Sequence, residues 1–110
     1  MDTQLSLEVI QLHAEICAGL ADPNRIMILY ELSAGPKNVT ELCNTLNLPQ
    51  SLVSRHLKIL RERHMVNTER RGTLIFYSLA DIRLTQALDL LRATLRDRLT
   101  QRAELVSTIK

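Results

Sequence analysis

The sequence is poor in the residues that usually build a large core or a secreted scaffold. Its 110 residues contain no tryptophan, one phenylalanine and two tyrosines, yet 45% of them are hydrophobic. The core must therefore be aliphatic, and burial against a second subunit would add stability that so short a chain lacks alone. The two cysteines, Cys17 and Cys43, are too few for a disulfide framework, so we expect a protein of the reducing cytoplasm.

Several classes of protein are excluded by what is missing. No apolar run approaches the ~18 residues needed to cross a membrane, and the opening MDTQLSLEV lacks the basic region of a secretion signal. The chain also shows no glycine-rich phosphate loop, no Ser-His-Asp arrangement and no complete set of metal ligands. We therefore expect neither a membrane protein nor an enzyme, and we expect no cofactor and no bound metal.

The net charge of +2 conceals a strongly basic middle of the chain. Residues 1–49 carry two bases and six acids, a net charge of −4, whereas residues 50–71 carry six bases and two acids, a net charge of +4. Residues 72–110 add six bases and four acids. A basic block of this kind favours a polyanionic partner such as nucleic acid, although a solvated helix and turn would have the same composition.

The spacing of apolar residues predicts long helices near both ends of the chain. Apolar side chains recur at intervals of three and four from Leu5 to Leu20, and again from Leu84 to Leu99, which places each set on one helical face. A second helix is predicted to begin at Asp22-Pro23, with the aspartate as N-cap, and to end near Gly35-Pro36. One small helical core cannot cover both leucine faces, so we expect them to pair with a second subunit.

The middle of the chain predicts a helix-turn-helix followed by a β-hairpin. A short third helix with Thr40 as N-cap is followed by Asn47, which tolerates a left-handed turn, and by a fourth helix after Pro49. The periodicity then changes to alternation around the turn Arg71-Gly72-Thr73. We predict a mainly α, dimeric winged helix-turn-helix of five helices, as a single domain over residues 1–110. Its parts are the helix-turn-helix (about 40–64), the wing (about 65–79) and the terminal dimerisation helices (about 5–20 and 81–106).

The fourth predicted helix, QSLVSRHLKILRERH, has an apolar face and a polar, basic face. A helix of this kind fits the major groove of DNA, where arginine reads guanine and glutamine reads adenine. Arginines at the tip of the hairpin suit phosphates or a narrow minor groove. Because a solvated surface is the simpler alternative for polar residues, the order of helix-turn-helix and basic hairpin carries the prediction. The predicted DNA contacts are Gln50, Ser51, Ser54, Arg55, Lys58, Arg70 and Arg71.

Three segments together resemble the ArsR/SmtB family of bacterial winged-helix repressors. They are LADPNRIMILYELS, SLVSRHLKILRERHMV and RRGTLIFYSLADIR, in this order, and the resemblance runs from about His13 to Leu99. It implies a homodimer that binds an inverted repeat in double-stranded DNA and blocks transcription until an inducer releases it. The recognition-helix contacts of the family fall here on Gln50, Ser51, Ser54 and Arg55.

The resemblance also implies that the two common metal sites of the family are missing. The cysteines of the family motif ELCVCDL fall here on Asn38 and Thr40, neither of which supplies a thiolate. Where the family zinc site on the last helix has histidines, this chain has Arg83 and Thr94. The inducer, if there is one, is therefore unknown from the sequence.

Three interpretations of the cysteines remain open. Both thiols could be buried packing residues, since free cysteine behaves as a small hydrophobic side chain. Alternatively, Cys17 and Cys43 could form a thiol sensor whose oxidation releases DNA, although no lysine or arginine flanks either residue to lower its pKa. The four-residue spacing of His13 and Cys17 also suits a metal, but only two ligands are apparent.

Two further expectations complete the sequence analysis. His56 and His64 are predicted to lie near DNA or to cap the fourth helix rather than to bind metal. An alternative function is a winged-helix protein-interaction module that uses the leucine-rich helices as its interface. Binding to duplex DNA that falls steeply with salt would separate a DNA-binding regulator from such a module.

Overall fold

The computed structural model describes the backbone of residues 1–109 and the side chains of residues 1–107. Within this range the chain forms five α-helices and one antiparallel hairpin, which confirms the predicted mainly helical fold. The elements are α1 (Thr3–Leu12, continued by a π-helical turn at His13–Cys17), α2 (Pro23–Ser33), α3 (Val39–Leu46), α4 (Gln50–Glu62), β1 (Val66–Arg71), β2 (Leu74–Leu79) and α5 (Arg83–Ile109). No helix of the described range is both long and apolar enough to cross a membrane.

The core is aliphatic, as the scarcity of aromatic residues predicts. It draws its side chains from α2, α3, α4, β1 and the beginning of α5, and its buried apolar residues are Ile28, Leu29, Leu32, Leu42, Val53, Leu57, Leu60, Met65, Val66 and Leu88. The helix-turn-helix and the base of the wing therefore share one core. This common core fixes the position of α4 relative to the hairpin.

Three helix ends form as the sequence predicts: the beginning of α2 and the ends of α3 and α4. The Asp22 carboxylate accepts a hydrogen bond from the Asn24 N–H at 2.8 Å, with Pro23 in the first turn of α2. Asn47, after α3, has a φ of 54°, and His64, after α4, has a φ of 59°. Both residues thus adopt the left-handed conformation that lets a helix end in a sharp turn.

The predicted start of α3 is wrong by two residues. Asn38, not Thr40, is the N-cap, because its side-chain oxygen accepts the Glu41 N–H at 2.9 Å. The Glu41 carboxylate in turn accepts the Asn38 N–H at 3.1 Å. This reciprocal pair is a capping box, which satisfies two donors that a single cap at Thr40 would leave free.

The first helix is interrupted by a feature that the sequence analysis did not predict. Residues His13–Cys17 form a π-helical turn, in which N–H groups bond five residues back instead of four. The guanidinium of Arg63, at the end of α4, donates to the carbonyl oxygens of Ala14 and Glu15 in this turn, the latter at 3.3 Å. The C-terminal end of α4 is thereby hydrogen-bonded directly to the N-terminal helix.

A second arginine joins three helices. Arg25 of α2 donates to the carbonyl oxygens of Gly19, at 2.8 Å, and Ala18, at 3.3 Å, where the N-terminal helix ends. Its third contact is the ring nitrogen Nδ1 of His56 in α4, at 3.3 Å. Since a guanidinium can only donate, Nδ1 must accept, and the neutral imidazole therefore carries its proton on Nε2.

The expectation that His56 lies near DNA is wrong, because its ring is 4% exposed within the core. The Nε2 atom lies 3.8 Å from the Asp22 carboxylate, which is too far for a hydrogen bond, and no other described residue offers it an acceptor. Burial lowers the pKa of His56 below its ordinary value of 6.5, and the neighbouring charges of Arg25 and Arg55 lower it further, although Asp22 acts in the opposite direction. A neutral His56 therefore belongs to the folded state near neutral pH.

The last helix is attached to α2 by a polar cluster. The Tyr30 hydroxyl donates to the Asp89 carboxylate at 2.7 Å, and the Arg92 guanidinium lies 5.1 Å from the centre of the Tyr30 ring. Beyond this cluster, residues 94–107 of α5 are exposed along their whole length. The buried part of α5 therefore lies in its first third.

Stability should depend on pH through His56. The unfolded chain binds a proton at this residue more readily than the folded protein does, so its contribution is present above pH 6.5 and is lost as pH falls towards the lowered pKa. We expect the free energy of unfolding to fall on acidification more steeply for the wild type than for His56→Gln, which keeps an acceptor for Arg25. The difference in slope is at most about 1.4 kcal/mol per pH unit. Parallel curves from urea unfolding of the two proteins would contradict it.

Candidate nucleic-acid interface

The recognition helix α4 has one buried face and one exposed face. Val53, His56, Leu57 and Leu60 point into the core. Five of the seven residues predicted from the sequence to contact DNA are exposed on α4, and they are Gln50, Ser51, Ser54, Arg55 and Lys58. The structure therefore brings the five predicted side chains of α4 together on one accessible surface.

The beginning of α4 adds to the positive potential of this surface. Pro49 precedes the helix and no side chain caps its first turn. The positive end of the helix dipole lies at this turn, beside Gln50 and Ser51, where it favours an anion. Arg55 and Lys58 follow within the next two turns and, in contrast to His56 between them, are exposed.

The wing presents two arginines, but each already has a partner in the hairpin. The Arg70 Nε donates to the Gly72 carbonyl at 3.3 Å. Arg71 forms an ion pair with Glu69 at 3.2 Å, and its guanidinium lies 4.6 Å from the centre of the Phe76 ring. A phosphate that binds Arg71 would therefore have to compete with an exposed carboxylate, which holds the arginine only weakly.

Main-chain pairing attaches the wing to the helix-turn-helix. The Lys37 N–H donates to the Tyr77 carbonyl at 3.0 Å, and the Tyr77 N–H donates to the Lys37 carbonyl at 2.8 Å. Lys37, just before α3, thus forms an isolated antiparallel β-bridge with the second strand of the hairpin. No pattern in the sequence predicts this contact, because a single bridge between residues 40 positions apart produces no periodicity.

A cleft of 260 Å³ lies between the beginnings of α3 and α4 and the second strand of the wing. We call it the wing cleft. Its polar lining residues are Asn38, Thr40, Gln50 and Thr73, and its apolar lining residues are Val39, Leu74, Ile75 and Tyr77. Of these, only Gln50 was predicted to contact DNA.

The cysteines lie in different environments. Cys17 is exposed in the π-helical turn, whereas Cys43 of α3 is half-buried against the core, and both are free thiols. The interpretation that both thiols are buried packing residues is therefore wrong for Cys17 in the single chain. Among the described residues, no group of three or more histidines, cysteines and acids could hold a metal ion.

At the position of the family zinc site, Asp81 and Arg83 form an ion pair. The Arg83 Nη2 lies 2.6 Å from the Asp81 carboxylate, and its Nε contacts both oxygens. These hydrogen bonds lower the pKa of Asp81 to about 2. The Asp81 carboxylate is thus paired with the permanent positive charge of Arg83.

Comparisons with known proteins agree with this geometry. The sequence profile described as "Bacterial regulatory protein, arsR family" matches residues 22–68, which span α2, α3, α4 and the beginning of β1. The crystal structure of NolR from Sinorhizobium fredii superposes with a TM-score of 0.74 at 29% sequence identity, over 86% of this chain and 93% of that chain.

Two curated relatives come from Mycobacterium tuberculosis. The HTH-type transcriptional regulator NmtR is 39% identical over 89 residues, which are 81% of this chain and 71% of NmtR. The HTH-type transcriptional repressor SmtB is 42% identical over 74 residues, which are 67% of this chain and 55% of that protein. The match therefore spans little more than half of the length of SmtB. On the profile and these identities, the chain belongs to the ArsR family of bacterial regulatory proteins.

Proposed function

We propose that this protein is a dimeric transcriptional repressor that binds a specific sequence in double-stranded DNA and releases it in response to an inducer. The observation that carries the proposal is the exposed surface of α4, where Gln50, Ser51, Ser54, Arg55 and Lys58 are accessible while the other side of the helix is buried. Helices of helix-turn-helix proteins enter the major groove with such a face. The family is one of regulatory proteins rather than enzymes, and the chromosome that such a regulator binds lies in the cytoplasm.

Each contact on this face has a role set by its chemistry. Arg55 can donate two hydrogen bonds to guanine, and Gln50 can pair with adenine. Ser51 and Ser54 are short enough to let the helix backbone approach the groove, while Lys58 is suited to a phosphate. Arg70 and Arg71 on the wing would bind phosphates or the minor groove beside it.

The leucine faces of the terminal helices support a homodimer. In the single chain, Leu5 and Val9 of α1 and Leu91, Leu95 and Leu99 of α5 are each 45–63% exposed. Most of the stability of a helix in a protein comes from packing of its apolar face, and the side chains of residues 94–107 of α5 are exposed in the single chain. Twofold pairing through these helices would present two copies of α4, which matches an inverted repeat.

Among the described residues, no metal site indicates what the inducer is. The exposure of one cysteine supports an alternative, a repressor that responds to thiol chemistry. Because Cys17 is exposed, it is open to oxidation or to an electrophile, which is the first requirement of a thiol sensor. Cys43 is less accessible, so a sensor that uses both thiols would need local opening of α3. This thiol-responsive repressor is the second candidate function.

Replacement of Arg55 tests the major-groove contact. We expect Arg55→Ala to weaken binding to the preferred duplex by about 1–3 kcal/mol and to relax the preference at one base pair, because one bidentate contact is lost. The matched control is Arg61→Ala, which removes an exposed arginine in the last turn of α4. Fluorescence anisotropy with single-base variants of the duplex measures both effects. Unchanged preference in Arg55→Ala would refute the assigned recognition face.

Replacement of charges on the wing tests the phosphate contact. Arg71→Ala should weaken binding to all duplexes and reduce the slope of log K against log salt by about 0.9, since one phosphate contact is lost. Glu69→Gln should do the reverse, because it frees Arg71 from the ion pair at 3.2 Å. Salt titrations of the wild type also test the protein-interaction alternative. Absent or salt-insensitive binding to DNA would support that alternative and contradict the repressor.

Mild oxidation separates the thiol-responsive repressor from one with another inducer. Anisotropy would be measured at fixed salt for reduced and oxidised protein, on DNA from upstream of its own gene. If the thiols are the sensor, the oxidised wild type releases DNA, and Cys17→Ser no longer responds while still binding DNA. Cys43→Ser is the companion variant. Equal binding of reduced and oxidised wild type would exclude the thiol sensor.

A further inference from the structure

One titratable side chain of α4 lies inside the core and has no part in the proposed DNA contacts. His56 directly follows the exposed Arg55, but its own side is buried and the residue is 4% exposed. Among the described residues, its Nε2 atom is the one buried side-chain nitrogen or oxygen without a hydrogen-bond partner. Because an unpaired buried donor destabilises a fold, packing alone does not explain an imidazole at this position.

The charged groups that act on this ring come from α2 and α4. Arg25 of α2 contacts Nδ1 at 3.3 Å. Asp22, the N-cap of α2, lies 3.8 Å from Nε2. Arg55, the preceding residue of α4, adds a second positive charge. Among the described residues, two cations and one carboxylate therefore surround an imidazole that is itself uncharged near neutral pH.

The contact between Arg25 and His56 exists only while Nδ1 has a free lone pair. A guanidinium has no atom that accepts a hydrogen bond, so a proton on Nδ1 would place two donors and two positive charges 3.3 Å apart. Arg25 also donates to the carbonyl oxygens of Gly19 and Ala18, and these bonds hold it beside the ring. A positively charged ring therefore cannot keep this position.

The Asp22 carboxylate offers the charged ring no free place. Its Oδ1 atom accepts the Asn24 N–H at 2.8 Å as the cap of α2, and the same oxygen is the one 3.8 Å from Nε2. A shift of the ring towards this oxygen would move α4, because the ring shares the buried face of α4 with three aliphatic side chains. A proton on His56 is therefore in conflict with the packing of α4 against α2.

We propose that Arg25 and the neutral ring of His56 together position α4 for DNA, and that a proton bound by His56 releases the DNA. The inference rests on the proposed DNA-binding function and names the proton as a ligand that regulates the same surface. Arg25 and His56 are positioning residues, since neither belongs to the proposed DNA contacts. The proton is taken from water by Nδ1, and no other covalent bond forms or breaks.

The sign of the pH dependence distinguishes this role from simple electrostatics. Phosphates beside Arg55 would stabilise a positive charge on a nearby histidine, so acidification would strengthen binding if the ring acted only as a charge. A required neutral ring makes acidification weaken binding instead. Burial lowers the pKa of His56, and Arg25 and Arg55 lower it further against the effect of Asp22. Affinity is therefore complete above pH 6.5 and is lost as pH falls through the lowered pKa.

The first test uses the full chain with His56 as its single histidine. The sequence has three histidines, and His13→Gln and His64→Asn remove the other two. Asparagine suits the left-handed φ of 59° at the latter position. Anisotropy is measured at fixed salt, on a duplex that the wild type has selected at neutral pH from a random-sequence pool. Over the range in which histidine titrates, affinity should fall on acidification by at most about tenfold per pH unit, the limit for one proton.

The matched control is the same protein with His56→Gln in addition. Glutamine keeps an acceptor for Arg25 but does not bind a proton in this range. The control should therefore show no fall in affinity on acidification. If the protein without His13 and His64 does not bind DNA, the wild type is compared directly with His56→Gln.

A second measurement follows the ring itself and needs no variant at His56. In the single-histidine protein, the nitrogen chemical shifts of the imidazole show which nitrogen carries the proton and at which pH the second proton is added. Nδ1 should be the unprotonated nitrogen, and the titration should move to lower pH when the duplex binds. A titration that moves to higher pH on binding would overturn the inference.

The same spectra test the role of Arg25. Arg25→Gln removes the neighbouring cation, which lowers the pKa of His56, so the ring of the free protein should titrate at higher pH than in its parent. A titration that Arg25→Gln leaves unchanged would refute the assigned role of Arg25.

The outcomes separate this inference from the proposed function. If the wild type binds no duplex at neutral pH, the proposed function fails. If it binds, but the proteins with and without His56 follow the same pH profile, only the role of His56 is refuted. Circular dichroism and sedimentation at each pH show whether the protein stays folded and keeps its oligomeric state. Release that coincides with loss of helix or dissociation of subunits would show that the proton acts on stability instead of on the position of α4, and the inference would be wrong.

Discussion

The guanidinium of Arg25 is the interaction on which the arrangement of the helices depends. From α2 it reaches the carbonyl oxygens at the end of the N-terminal helix and the ring of His56 inside α4. The Arg25 guanidinium is partly buried, and a desolvated cation without acceptors is costly, so displacement of these helices would remove acceptors that it needs. Burial lowers the pKa of His56, and the charge of Arg25 lowers it further, so the ring inside the core is neutral. The contacts on the buried side of α4 therefore determine which of its residues are exposed.

Arg63 has a corresponding role at the other end of α4. Its contacts with the π-helical turn bond the recognition helix to the N-terminal helix, and the leucine face of that helix is uncovered in the single chain. Two arginines thus connect the proposed DNA-binding surface to the proposed dimer interface. In such an arrangement, a change in how two subunits pair would change the position of α4. Coupling of this kind is required if an inducer is to release DNA.

The small aliphatic core explains why so much apolar surface remains on the terminal helices. The core residues come from α2, α3, α4, β1 and the first turns of α5, so they cover the helix-turn-helix and the base of the wing but not the remainder of α5. A chain of this length buries a smaller fraction of its surface on folding than a larger domain does. Pairing of the uncovered helices with a second subunit would bury their leucine faces and add stability. The same pairing would present two copies of α4 to DNA.

The sequence by itself determined the features that depend on neighbours within one helical turn. The faces of α4, the cap at Asp22 and the left-handed residues Asn47 and His64 follow from helical spacing and local hydrogen bonding. The capping box at Asn38 has the same local origin, because asparagine followed three residues later by glutamate is its sequence pattern.

Only the tertiary structure decided the contacts between residues that are distant in the chain. The bond from Arg25 to His56 spans 31 positions, and the pairing of Lys37 with Tyr77 joins α3 to the wing across a similar separation. His56 has a polar side chain on the border of the apolar face, so its burial depends on Arg25 and not on its own pattern. The π-helical turn and the wing cleft likewise arise where separate elements meet. Periodicity records which side of a helix is buried, but it does not record which residue lies against it.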